Sequence, residues 1–132
     1  MEIDLGAELG TTEAYSTERL TLFIPNKDRN GRKLKNHSRW VKEARELLSK
    51  IGGGSTAFPP ADGTWVGAKG EIIWEQTTMV FCYILPDAFR DELPNLREFI
   101  HRFVRKTNQG EVVVEFDGKF FRIKEFDDAK GK

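Results

Sequence analysis

The sequence predicts an α+β domain of the ferredoxin-like sandwich type, an antiparallel sheet with two helices on one face and a C-terminal hairpin. Three observations carry that reading. Two stretches repeat apolar residues at helical spacing, several short runs alternate β-branched or aromatic residues with polar ones, and Asp117-Gly118 lies between two such runs. The expected order is strand, helix, strand, strand, helix, strand, with one extra strand at the end.

The chain divides into an acidic arm over 1–18, a single domain over 19–126 and a tail over 127–132. The arm carries Glu2, Asp4, Glu8, Glu13 and Glu18 without a Lys or Arg, a composition that favours a loosely held segment. In "RLTLFIP", Leu20 to Ile24 reads as a strand that Pro25 ends. "NKDRNGRKLKN" follows as a turn-rich loop. From Ser38, the residues Trp40, Val41, Ala44, Leu47, Leu48 and Ile51 form one apolar helical face, with Asn36 or Ser38 as N-cap. Gly52 is the expected stop, because glycine takes the left-handed conformation without steric cost.

"TAFPPADGTWV" and "EIIWEQTTMVFCYIL" read as two extended segments joined by the turn "GAKG". The second is apolar on both faces from Met79 to Ile84, as befits a central strand. Pro94 divides the following helical pattern, which predicts a short turn over Asp87 to Leu93 and a longer helix restarting at Pro94. Leu96, Phe99, Ile100, Phe103 and Val104 give that helix its apolar stripe. In the hairpin, Val112, Val114, Phe116, Phe121 and Ile123 share one face, and Glu111, Glu115, Phe120 and Arg122 the other.

Composition narrows the function classes. With 132 residues, 39% of them hydrophobic, the chain suffices for one core without disulfide or metal support. Equal numbers of basic and acidic residues, 21 of each, leave no whole-molecule field toward nucleic acid or membrane. One cysteine, Cys82, excludes an internal disulfide and a multi-cysteine zinc site, and it fits a reducing compartment. The sequence shows no signal-peptide pattern and no apolar run of membrane-spanning length, so a cytoplasmic location is expected.

The candidate site residues fall into four groups. In the loop, Lys27, Arg29, Arg32 and Lys33 stand with Lys35 and Arg39 against one acid, Asp28, a local charge suited to an anion, a nucleotide or nucleic acid. On the second helix, Arg97, His101 and Arg105 are four apart and line one side, where they could hold an anion and His101 could transfer a proton. Trp65, Trp74 and Phe58 flank the glycine run and could wall a pocket, with Glu75 beside them. Asn108 and Gln109 sit at a helix-to-strand joint, where amide side chains cap carbonyls or read a polar ligand. "IGGGST" follows a helix rather than preceding one and has no adjoining Lys, which suits a helix cap better than a phosphate loop. Two histidines far apart in sequence give no metal spacing, and no cofactor motif is present.

The succession "TLFIPNKDRNG", "GGGSTAFPPADGTWV", "GEIIWEQTTMVFCYI", "LREFIHRF" and "TNQGEVVVEFDGKFFRI" resembles a family of small uncharacterised bacterial proteins, over nearly everything after residue 18. The resemblance implies a compact α+β domain carried in bacterial genomes and on mobile elements. It brings no reaction, cofactor or catalytic residue.

Function is therefore expected to be non-catalytic binding of an anionic ligand, a nucleotide or a protein partner, since no nucleophile–base pair is visible. An enzyme would use His101 or Glu75 with Arg105 in a tryptophan-lined pocket. A third reading is a structural homodimer joined through the sheet face that helices leave open.

Overall fold

The computed structural model describes residues 2–14 and 16–127. The expected tail beyond Asp127 lies outside the described residues. The chain folds as α1 (Leu5–Leu9), β1 (Arg19–Pro25), α2 (His37–Gly52), β2 (Thr56–Ala57), β3 (Ala61–Val66), β4 (Ile72–Tyr83), α3 (Pro86–Thr107), β5 (Val112–Phe116) and β6 (Lys119–Ile123). All strand pairings are antiparallel, in the order β2-β4-β1-β5-β6, with β3 also on β4. The α+β class holds.

The sheet is organised by alternation. In β1, Leu20, Leu22 and Ile24 point to one face, opposite Cys82, Val80 and Thr78 of β4, and all six are buried. Val112 and Val114 of β5 extend that face. Helix α2 covers it with Ala44, Leu47, Leu48 and Ile51, and α3 with Leu96, Phe99, Ile100, Phe103 and Val104, in one continuous core. Trp40 locks the helices together by packing edge-on against Phe99 and Phe103, at 5.9 and 5.2 Å between ring centres. None of the described helices is long and apolar enough to cross a membrane.

The other sheet face has no helix on it among the described residues; α1 buries none of its own side chains. Aromatic residues populate this open face. Phe58 stacks on Phe81 at 5.3 Å, Phe81 meets Tyr83 edge-on, and Phe23 meets Phe120 at 6.3 Å. Arginines shield part of it, with Arg19 over Phe81 and Arg122 over Phe120.

Three local expectations change. Helix α2 runs through Gly52, and Gly53 takes the left-handed cap at φ 82°, its amide donating to the Ser49 carbonyl at 2.8 Å. Gly52 is required for a different reason: a Cβ there would lie 2.5 Å from the Tyr83 carbonyl oxygen and 2.8 Å from Cys82 Cβ. Helix α3 is continuous across Pro94, which sits on the exposed side together with Arg90, the residue whose carbonyl loses its intrahelical donor there. Pro59-Pro60 splits the segment after the glycines into β2 and β3, because proline has no amide for the ladder.

Replacing Gly52 by Ala is expected to destabilise the fold by about 1–3 kcal/mol, since backbone rather than a flexible side chain must give way. Urea unfolding should show a lower midpoint at unchanged slope; an unchanged midpoint would refute the close-approach account.

Candidate functional site

The basic loop is built on one carboxylate. Asp28 Oδ1 accepts from the amides of Asn30 and Arg32 at 2.8 and 3.0 Å, and the Asp28 amide donates to the Arg32 carbonyl. Lys27 Nζ donates to the Trp74 carbonyl at 2.7 Å, and Arg29 reaches the carbonyls of Asn108 and Gln109. Gln109, 7% exposed, donates from Nε2 to the Lys27 carbonyl at 3.0 Å and to Thr107 Oγ1 at 3.1 Å. Asn108 ends α3 in the left-handed conformation at φ 54°. Lys27, Arg29, Asn108 and Gln109 thus tie the loop to α3 and β4. Arg32 and Lys33 keep exposed side chains.

The row on α3 has a partner of its own. Arg97 grips the Asp127 carboxylate with two hydrogen bonds of 2.7 and 2.8 Å, and Arg105 Nη1 donates to the Asp127 carbonyl at 2.8 Å. His101, 5% exposed, accepts the Asp127 amide at Nδ1 over 2.7 Å. Burial pushes its basicity down; Asp127 opposes that, while Arg97 and Arg105 reinforce it. A neutral ring with a free Nδ1 lone pair is what the bond requires, so the three side chains clip the chain after β6 onto α3.

The glycine run is a cap. Ser55 Oγ donates to the Arg45 carbonyl at 2.9 Å beside Ser49 Oγ, which donates to the same carbonyl at 2.8 Å.

Glu75 stands apart from these groups. It lies on the open face of β4, directly across from Gly63 of β3, whose missing side chain leaves room beside it. Trp65 Nε1 donates to Oε1 and Thr77 Oγ1 to Oε2, each at 3.1 Å. Desolvation raises the Glu75 pKa, and the bonds from Thr77 and Trp65, with the charge of Lys27, oppose that. On the same face follow Thr77, Met79, Phe81 and Tyr83, with Phe58 stacked on Phe81. The result is a carboxylate held at fixed geometry against the Trp65 indole, with the Phe58–Phe81–Tyr83 cluster on the same face but about 20 Å farther along β4.

Trp65 and Trp74 lie on opposite faces of the sheet, since Trp65 pairs with Ile73 and its neighbour on β4 alternates away. Trp74 is 66% exposed. Glu75 is therefore brought together with Trp65 but with neither His101 nor Arg105, which belong to the helix layer. Sequence reasoning missed Thr77, Met79, Phe81 and Tyr83 as companions of Glu75. The signal was their period of two from Ile73 onward, hidden by the apolar residues on the alternate face. Among the described residues no cluster of His, Cys, Asp or Glu is arranged to hold a metal.

No model of a known protein family matches the chain, and no curated protein does. Two solved structures share its fold. A phage SAM lyase in complex with S-methyl-5′-thioadenosine superposes with a TM-score of 0.61 at 11% identity, over 86% of this chain and 94% of that one. A phage SAM lyase in the apo state gives 0.58, also at 11% identity, over 83% and 90%.

Glu75 should titrate above the model-compound value of 4.5 in a carboxylate NMR experiment, and Trp65→Phe should raise it further by removing a bond that favours the anion. Because the folded value is raised, the Glu75 contribution to stability is complete below 4.5 and is lost as pH rises through the folded value. A value at or below that of a free glutamate would contradict the geometry. The depressed His101 value has the opposite sign: its contribution is complete above the unperturbed 6.5 and is lost as pH falls through the folded value. The Asp127 amide should therefore lose hydrogen-exchange protection on acidification below that point, whereas constant protection would exclude the His101 bond.

Proposed function

We propose that the protein binds an adenine nucleoside bearing a sulfur substituent at the 5′ carbon, the class of S-methyl-5′-thioadenosine and S-adenosylmethionine, on the open sheet face around Glu75. The carrying observation is the Glu75 carboxylate pinned by Thr77 and the half-buried Trp65 indole, on the face that farther along β4 also carries exposed Phe58 and Tyr83. A purine stacks on such rings, a ribose diol donates to a carboxylate, and a sulfonium cation is drawn to both carboxylate and aromatic faces. The shared fold of a lyase solved with such a nucleoside supports the same ligand class.

Cleavage of S-adenosylmethionine is compatible with this site and needs no nucleophile from the protein. The substrate's own carboxylate oxygen attacks its Cγ, the Cγ–S bond breaks with its electron pair going to sulfur, and a lactone and a neutral thioether result. The chain's part would be to hold the substrate folded for that displacement. A dry, aromatic surface suits it, because the charges cancel as the bond breaks.

The strand order and the placement of α2 and α3 on one face support the ferredoxin-like arrangement within which this site lies. Exposed Phe120 on the β6 edge, at 54%, supports a homodimer that would cover that end of the face and leave the Glu75 end open.

Calorimetry should detect binding of S-methyl-5′-thioadenosine, and chromatography should show its release from S-adenosylmethionine. Glu75→Gln should weaken S-adenosylmethionine at least tenfold, and the wild-type affinity should rise with pH as Glu75 ionises. Absence of binding by either compound ends this reading; binding without release leaves a non-catalytic nucleoside module.

A further inference from the structure

We propose that the cleft between the basic loop, α2 and the C-terminal end of α3 binds the phosphate backbone of a nucleic-acid strand. This site is separate from the Glu75 face, since it belongs to the helix layer on the other side of the sheet. The cleft measures about 1050 Å³ and is lined by Lys33 and Lys35 of the loop, Arg39 and Lys42 of α2, and Lys106 of α3.

These five side chains are exposed, and no carboxylate lies within salt-bridge distance of any of them among the described residues. The acids lining the cleft are mostly engaged. Asp28 accepts the loop amides, and Glu43 is bonded to Arg102, which leaves Glu46 as the carboxylate without a partner. The Asn36 N-cap forms no side-chain bond and the first turn of α2 has no acid, so the positive end of this helix adds to the field. A neutral chain thus concentrates unpaired positive charge in one concave place.

The spread of the cations over three elements favours a string of phosphates over a single one, which would leave most of them unsatisfied. Recognition would be independent of base sequence. Trp40, the aromatic residue of the cleft, has its ring packed on Phe99 and Phe103 and capped by Arg102 at 5.2 Å, so it offers no free face for a base. The loop cannot drift away from its ligand, because Asp28 closes it internally while Arg29 and Gln109 fasten it to the segment that follows α3. These bonds also revise the choice of contact residues: Arg29 is spent on the Gln109 carbonyl, while Lys42 and Lys106 join from the helices.

Fluorescence anisotropy of a labelled oligothymidylate, titrated with the full chain at increasing potassium chloride, tests the proposal. Five contacts predict that log K falls with log salt at a slope near −3.5, taking about −0.7 per phosphate for single strands. Lys35→Gln with Lys42→Gln should make the slope shallower by about 1.4 while S-methyl-5′-thioadenosine binding and the thermal melt stay unchanged. Failure to bind at low salt would overturn the site, as would an equal slope in the double variant. Self-association that salt dissolves, without strand binding, would also overturn it and give the cleft to the acidic arm of a second copy.

Discussion

Pairing of β1 with β4 is the constraint on which the remainder depends. Its register sets Leu20 opposite Cys82, Leu22 opposite Val80 and Ile24 opposite Thr78, so that one face is apolar without interruption. A shift by one residue would turn every one of these side chains to the other side and leave α2 and α3 nothing to cover. With the register fixed, Glu75 and Phe81 must face away from the helices. The chemistry on the open face is thus a by-product of the packing on the closed one.

The same asymmetry separates two kinds of surface. On the open face, a carboxylate whose charge is disfavoured by burial is bonded to the Trp65 indole, and further aromatic rings line the same face beyond it. Around the helix layer, Arg102 bridges Glu43 and Glu98 above the Trp40 ring, and positive charge gathers next to it. Ligands of opposite charge preference would therefore meet the molecule from different sides, and the two regions share no side chain. A protein with zero formal charge can still present a cationic cleft on one side and an aromatic face on the other when the fold sorts its residues in this way.

Much of the fold was legible because apolar periodicity reports burial directly: β1, α2, the β5–β6 hairpin and the stripe on α3 lie where alternation and helical spacing put them. What the letters concealed was long-range closure. Pro94 reads as a break, yet tertiary packing of Phe99 and Phe103 carries the helix through it. Gly52 reads as a cap, but the close approach of β4 is visible only when α2 is laid on the sheet. The charged candidates show the same limit. Arg97, His101 and Arg105 look like an anion site until Asp127 is brought to them from thirty residues away in sequence. Glu75 was identified with Trp65 but without Thr77, Met79, Phe81 and Tyr83, because a strand half buried on both sides blurs the period of two.

Cys82 has a further meaning. It is 3% exposed, its sulfur lies under Gly52, and burial pushes its pKa up to about 11. In the intact fold it is thus neither accessible nor nucleophilic, and it becomes both only when α2 lifts from β4. The chain's lone thiol is in this way a native clock for that separation: the pace at which an alkylating reagent consumes it reads out how often the two layers part.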